Sequence, residues 1–290
     1  MADLVLPGNR SLGARERVPV SVCIPVRNEE RHIEGCLDSL AGAFSDVVVV
    51  DSGSSDQTCR LASSRQARVV QFRWDGGVPK KRNWALRQLD FRHEWILFLD
   101  ADERLTHDVI EEMRETLRST RHTGFWLRFS DSFLGHPIRH GDMLCKLALF
   151  RIDAGEYETF PEAFWCDLDM EVHEHPVLAG STGLIRAPLM HCGSHGLHHL
   201  IAKHNEYSSW EARRFLWLRR DGNGGPRAPG FRQRFKYRHL DKWWLAEVYW
   251  LYSLLWKRGF LDGVSGWRYA AFKRRYFRDI RLKILEHGDS

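Results

Sequence analysis

The sequence predicts an α/β fold: a mostly parallel sheet with a mixed-sheet extension, followed by a helical region rich in basic and aromatic residues. Three observations predict it. From Val18 to about residue 123, short apolar runs alternate with amphipathic stretches of helical length, the pattern of right-handed βαβ crossovers. Two of the runs, DVVVVD (46–51) and EWILFLD (94–100), are apolar without alternation, as strands covered on both faces are. Composition then shifts along the chain. Residues 211–290 hold 19 Lys+Arg against 8 Asp+Glu and 6 of the 12 Trp, a net charge of +11 that leaves −6 for residues 1–210.

Taken in order, VPVSVCIPV (18–26) is the first strand. Asn28 is positioned to cap a helix that carries Ile33, Cys36, Leu37 and Leu40 on one face, with Glu29 and Glu30 at its positive end. After DVVVVD, Ser54 and Gln57 have the spacing of a capping box opening a second helix. ARVVQF (67–72) is a third strand. Gly76-Gly77 and a helix led by Pro79 through Leu89 follow, then EWILFLD and a helix capped by Thr106. Beyond Gly124 the pattern changes: GFWLRF and CKLALFR are short strands around a Gly-Pro-containing turn, as in a mixed or antiparallel extension. DGNGGPRAPG (221–230) is a break of hinge composition before the last region.

Several classes are excluded. With 290 residues, 43% hydrophobic and 28% charged, the chain has the composition of a globular protein rather than a disordered one. Its six cysteines form no CxxC pair, which fits a reducing compartment and not a disulfide scaffold. The start lacks the apolar stretch of a signal peptide, and no run reaches the ~18 apolar residues of a spanning helix. WWLAEVYWLYSLLW (243–256) is too short and carries Glu247. The expectation is a cytoplasmic protein whose membrane contact is peripheral. Neither GxGxxG after the first strand, nor GxxxxGK[ST], nor GxSxG occurs, which removes dinucleotide, P-loop and nucleophile-elbow chemistry.

Ligands in open α/β sheets bind beyond the carboxyl ends of the strands. Three such ends are polar here: Pro25 to Glu29, Asp51-Ser52-Gly53, and Asp100-Ala101-Asp102-Glu103. Acids after a strand are often only helix caps, and Asp51 alone is open to that reading. Asp100 and Asp102, one residue apart directly after ILFL, concentrate negative charge at the lip of a buried sheet. Mg²⁺ takes one or two such carboxylates together with substrate phosphates.

In this order, IPVRNEERHIEGCLDSL, VVVVDSGSSDQT, GGVPKKRNWAL and ILFLDADERL resemble the family 2 glycosyltransferases of GT-A (Rossmann-like) fold. IRHGDMLCKLALFR, DMEVHEHPVLAGSTGLIRAPLMHCGSHG, KHNEYSSW and GFLDGVSGWRYAAF extend the resemblance to the bacterial lipopolysaccharide-core subgroup, over roughly residues 18–285. The resemblance implies an inverting, metal-dependent transfer from a nucleoside-diphosphate sugar, a UDP-sugar, to a lipid-linked saccharide. Pro25, Arg27 and Glu29 would line the nucleoside pocket, Asp51 would accept from uracil, and Arg82 would lie near the nucleotide. Asp100 and Asp102 would hold Mg²⁺ or Mn²⁺, with Asp102 the direct ligand and His191 completing the site. Arg82 is also open to the reading of a solvated helix charge. The resemblance places the base that deprotonates the acceptor at Glu174 in Val172-His173-Glu174, with Glu171 and Asp169 close by as alternatives. It implies a flexible tail over 1–17 and a GT-A domain over 18–210, divided at 123/124 into a nucleotide-sugar half and an acceptor half. A helical membrane-associating region would occupy 211–290.

His191, His195, His198 and His199 crowd nine residues, but Gly193 and Gly196 give a separate zinc site no helical frame. The basic aromatic stretch within 231–285 has the composition of a segment lying on an anionic membrane surface. Packing on the catalytic domain and single-strand nucleic-acid binding are its rivals, and nucleic acid is not expected. A nucleotidyltransferase would need a glycine-rich basic loop after the first strand, which is missing. A purely membrane- or RNA-binding module would leave the two-aspartate strand end idle.

Overall fold

Continuous apolar runs build the parallel half of the sheet. β1 (Val20–Val26), β2 (Asp46–Asp51), β3 (Arg68–Gln71) and β4 (Trp95–Phe98) lie in the order β3-β2-β1-β4, and each pairing among them is parallel. This architecture is that of a computed structural model describing residues 16–77, 79–141, 143–159, 176–192, 196–220 and 231–288. Both faces of the sheet are covered, which is why the strands need no polar alternation. Val20, Val22, Ile24 and Val26 of β1 enter one core with Leu97, while Cys23 joins Ile96 and Phe98 in the opposite one. Helices α1 (Ile33–Leu40), α2 (Thr58–Ser64) and α4 (His107–Leu117) cover the first face, and α3 (Lys81–Gln88) covers the second.

The extension is mixed, as expected. β8 (Cys145–Arg151) pairs antiparallel with β4, and β6 (Gly124–Phe133) antiparallel with β8. β11 (Thr182–His191) runs parallel to β6 and ends beside β5 (Glu103–Arg104). β7 (His136–Ile138) forms a hairpin with β6, and β9 (Gly155–Tyr157) and β10 (Pro176–Leu178) form a separate ribbon.

Two expected caps are corrected. Asn28 adopts φ 56° and does not cap α1; its Oδ1 accepts from Ser55 N–H, and its own N–H donates to Ser54 Oγ. Ser54 is therefore not the head of a capping box on α2. A parallel sheet brings the β1–α1 and β2–α2 loops side by side, and the cross-loop partners win over the local ones. Glu29 N–H to Thr58 Oγ1 at 2.8 Å and the Glu30–Gln57 contact complete this clip. Thr106 does cap α4, accepting from Val109 N–H at 3.3 Å.

Pro25 sits in a central strand, where a missing N–H is normally costly. Cys23 C=O accepts from Leu99 N–H, so the odd-numbered residues of β1 present their backbone to β4. The last β1–β4 pair is Cys23–Phe98. Pro25 therefore lacks its N–H at the point where β4 has already diverged.

The C-terminal helices α5 (Gly196–Arg220), α6 (Phe231–His239), α7 (Leu245–Leu251) and α8 (Gly263–Gly288) share a third core of Ala212, Phe215, Leu240, Leu245, Ile280 and Ile284. Much of the basic charge is used inside this layer. Buried Glu211 binds Lys236 at 2.8 Å and Tyr237 OH at 2.7 Å, Glu247 takes Arg274 and Arg278, and Asp241 takes Arg219 and Lys242. No helix among the described residues is long and apolar enough to cross a membrane. The 221–230 break and most of the 1–17 tail lie outside the described residues.

His204 of α5 packs edge-to-face against Phe272 at 4.7 Å and Tyr276 at 5.3 Å on α8. Burial, then the charge of Lys273, pushes its imidazole down to about 4. The neutral ring is thus the form the fold accepts, while the unfolded chain takes up the proton near 6.5. Stability should be unaffected above pH 6.5 and fall by at most about 3 kcal/mol as pH drops from 6.5 to 4. Thermal melts across that range should show a smaller acid loss for His204→Phe; an equal loss would assign the acid sensitivity elsewhere.

Candidate active site

The DADE turn at the end of β4 is held from three sides. Leu99 N–H still bonds Cys23 of β1, Glu103 N–H closes the turn on Asp100 C=O at 2.9 Å, and Cys192 N–H donates to Asp102 C=O at 2.7 Å. β11 pairs with β5 in the register His191–Glu103. That register carries His191, 89 positions from Asp102 in sequence, to within 3.2 Å of the Asp102 carboxylate.

The two aspartates have different environments. Asp100 Oδ1 receives Arg82 at 2.9 Å and Oδ2 receives Lys146 at 2.8 Å. Burial opposes its ionisation, but Lys146 and Arg82 outweigh it and hold the carboxyl well below the usual range. Asp102 is also desolvated, and the His191 contact more than compensates, lowering its pKa while raising that of His191. The Asp100 oxygens are thus both paired with cations. Asp102 and His191 face each other without such a cation and could each offer a metal a donor atom.

Sequence reasoning missed the cation that creates this difference. Lys146 of β8 is braced by Glu103, whose oxygens lie 3.1 and 3.2 Å from its Nζ and which also accepts Asp100 N–H at 2.9 Å. Burial works against the Lys146 ammonium, but the two carboxylates hold it charged. Burial also pushes Glu103 up to about 7, with Asp100 adding to the rise. The available signal was a lysine heading the otherwise apolar strand CKLALF, next in the sheet to β4.

Arg82 lies at the start of α3 as a buried side chain, its guanidinium 5.2 Å over the Tyr157 ring. Its neighbours fix α3: Lys81 Nζ donates to Val26 C=O at 3.0 Å, and Asn83 exchanges two hydrogen bonds of 2.9 Å with the Tyr157 backbone. Arg82 is therefore not a solvated helix charge. Glu29, half-buried at the mouth of β1, is pushed up to about 7 by burial and by Asp102, Asp100 and Asp56. The charge of Lys203 on α5 partly offsets that repulsion and also reaches Asp102. Pro25 is buried in β1 and Arg27 is exposed beside it. Asp51 is 1% exposed; its Oδ2 accepts from Gly53 and Ser54 N–H at 3.0 Å each, and Oδ1 accepts the Ser54 hydroxyl. Glu174, with Glu171 and Asp169, lies outside the described residues, as does His195.

Asp102 and His191 offer a hard cation one carboxylate oxygen and one imidazole nitrogen. Among the described residues no group of three or more His, Cys, Asp or Glu forms a ready-made metal cage. Two protein donors suit a cation that takes its remaining ligands from substrate phosphates and water.

The model of "Glycosyl transferase family 2" matches residues 21–156, from β1 through the DADE turn to β9. The lipopolysaccharide core biosynthesis glycosyltransferase LpsC of Rhizobium meliloti is 30% identical over 205 residues, covering 68% of this chain and 71% of LpsC. An uncharacterized glycosyltransferase of Rickettsia typhi, RT0209, is 23% identical over 283 residues, 91% of this chain and 88% of its own. Among solved structures, glucosyl-3-phosphoglycerate synthase from Mycobacterium tuberculosis, in complex with Mn²⁺, UDP and glucosyl-3-phosphoglycerate, is 29% identical with a TM-score of 0.31. That match covers 39% of this chain and 44% of the other. With the family model matching residues 21–156 and LpsC matched at 30% identity along most of both chains, one assignment follows: the chain belongs to glycosyl transferase family 2.

Proposed function

We propose that this glycosyltransferase moves a sugar from a UDP-sugar to a lipid-linked saccharide, with inversion, in cell-surface polysaccharide or lipopolysaccharide biosynthesis at the cytoplasmic face of the membrane. The name of LpsC supports the setting. The observation that carries the chemistry is the Asp102–His191 pair beside an Asp100 already neutralised by Arg82 and Lys146. Asp102 and His191 would hold Mg²⁺ or Mn²⁺. Once bound, the cation supplies Lewis-acid neutralisation of the departing diphosphate.

The chain's own residues do the rest. Pro25, Arg27 and Glu29 form the mouth of the nucleoside pocket on β1. Asp51 braces the adjoining turn, and a uracil N3–H would take the place of the Ser54 hydroxyl on its Oδ1. Arg82, locked on Tyr157 and Asp100, presents fixed positive charge without the cost of ordering a long side chain. The acceptor hydroxyl attacks the anomeric carbon from the face opposite the diphosphate, its proton passes to Glu174, and UDP leaves with the bonding pair. Glu174 holds this role on the resemblance of its motif, with Glu171 and Asp169 as the neighbours that would replace it.

A donor screen tests the reading. Purified enzyme is given UDP- and GDP-sugars with Mn²⁺, with Mg²⁺ and with chelator, and nucleoside diphosphate release and thermal shift are followed. Metal-dependent UDP release is expected; release from GDP-sugars alone, or equal release under chelation, would overturn it. In the same assay Glu174→Gln should keep UDP binding and lose turnover on the order of 10³-fold. Unchanged turnover would move the base to Glu171 or Asp169.

A further inference from the structure

The C-terminal layer ends in a hairpin tip between α7 and α8. The chain leaves α7 through a π-helical turn, Tyr252–Trp256, reverses at Arg258 with φ 58°, and enters α8 through a 3₁₀ turn, Gly259–Asp262. Exposed apolar side chains concentrate here. Trp256 is 80% exposed, Val264 64%, Leu255 61% and Leu261 53%, with Phe260 and Trp267 beside them in sequence. Six large apolar groups in thirteen residues are more than the single exposed residues of an ordinary surface.

The tip is also cationic and firmly mounted. Lys257, Arg258 and Arg268 have no carboxylate partner among the described residues, unlike the arginines and lysines spent on Glu211, Asp241 and Glu247. The acid within the tip, Asp262, is already engaged: it accepts from Arg139 N–H at 3.0 Å and His140 N–H at 2.8 Å, and pairs with the His140 ring at 2.8 Å. Gly141 N–H bonds Lys257 C=O at 2.9 Å. The two arms meet closely: Trp250 packs on Trp267 at 5.9 Å, and a Cβ at Gly266 would lie 2.0 Å from Gly259 oxygen. The tip is therefore fixed to the β7–β8 loop, on the chain segment leading to Lys146.

We propose that this tip, residues 255–268, is the edge by which the enzyme docks on an anionic lipid bilayer. Trp256, Leu255, Leu261 and Val264 enter the headgroup layer, and Lys257, Arg258 and Arg268 meet lipid phosphates. The inference deepens the lipid-linked-acceptor reading and rests on it. It narrows the membrane-facing surface from the whole basic aromatic region to one rigid edge. A second copy of the chain is the poorer occupant, because a two-fold contact would bring like cations together at the centre of the patch. The Asp262 clamp gives the docking edge a defined orientation relative to the β6–β8 half of the catalytic sheet.

Flotation of the full-length chain tests this, using vesicles of phosphatidylglycerol with phosphatidylethanolamine against vesicles of phosphatidylcholine alone. Wild type should float with the anionic vesicles, and Trp256→Glu/Leu261→Glu should lose at least tenfold in vesicle affinity. That variant should keep its melting temperature and its UDP-and-Mn²⁺ thermal shift. Lys257→Gln/Arg258→Gln, which leaves the apolar groups in place, should bind more weakly with a flatter salt dependence. If wild type floats and both variants float equally well, the tip is not the docking edge while the membrane reading stands. If wild type floats with neither vesicle, the membrane reading fails with it. A wild-type dimer that the Trp256→Glu/Leu261→Glu change dissociates, with flotation unchanged, would assign the patch to self-association.

Discussion

Asp102→Asn is expected to lower sugar transfer on the order of 10³-fold while leaving the fold intact. Asparagine keeps the shape of the side chain but removes the charge that pairs with His191 at 3.2 Å. A bound cation contributes several kcal/mol of transition-state stabilisation, and each 1.36 kcal/mol is tenfold in rate. Asp102 is partly exposed and bonds no core group with its side chain, so its stability cost is small. The imidazole of His191, raised chiefly by this carboxylate, should also titrate lower in the variant. Turnover at saturating donor should collapse, the Mn²⁺-dependent part of the UDP thermal shift should vanish, and the metal-free melting temperature should hold. Metal-dependent turnover within tenfold of wild type would remove Asp102 from the metal site.

Lys146→Met acts differently: it should cost stability as well as activity. Glu103 is 3% exposed and its carboxylate would lose its ammonium partner. Removing one member of a buried ion pair costs roughly 3–5 kcal/mol, and the option of protonating Glu103 places this case near the lower figure. At about 2–4 °C per kcal/mol, the melting temperature should fall by about 6–12 °C. Asp100 keeps Arg82, so the second half of the test is specific. Lys146→Met/Glu103→Gln removes the stranded charge and should recover most of the lost melting temperature, yet transfer should stay low because Asp100 is no longer held from both sides. A double variant no more stable than the single one would show that Lys146 contributes packing rather than charge.

The strands were legible in the sequence because burial on both faces leaves a mark that does not depend on partners: DVVVVD and WILF are strands in any sheet that covers them. The caps were less so. Asn28 and Ser54 have the residue types of helix caps, and nothing local shows that a parallel sheet sets their loops side by side, where each finds the other. The same limit applied at the site. The two aspartates announced themselves by spacing, and the family resemblance pointed to Arg82 and His191. Their different environments depend on Lys146, brought beside Asp100 by an antiparallel strand 46 positions later. The charge of the C-terminal region was visible as a sum, but not how much is spent inside the helical layer on Glu211, Asp241 and Glu247.

Pro25 has a consequence for the sheet. A strand that diverges from its neighbour can zip back when the space between them empties, since each new pair recovers a backbone hydrogen bond. Here the next rung on β1 has no hydrogen to offer, so an advancing β4 would desolvate a carbonyl and gain no bond in return. The two strand ends are thereby kept apart by chemistry rather than by bulk. The gap between β1 and β4 is therefore built into the sequence of β1 and needs no occupant to hold it open.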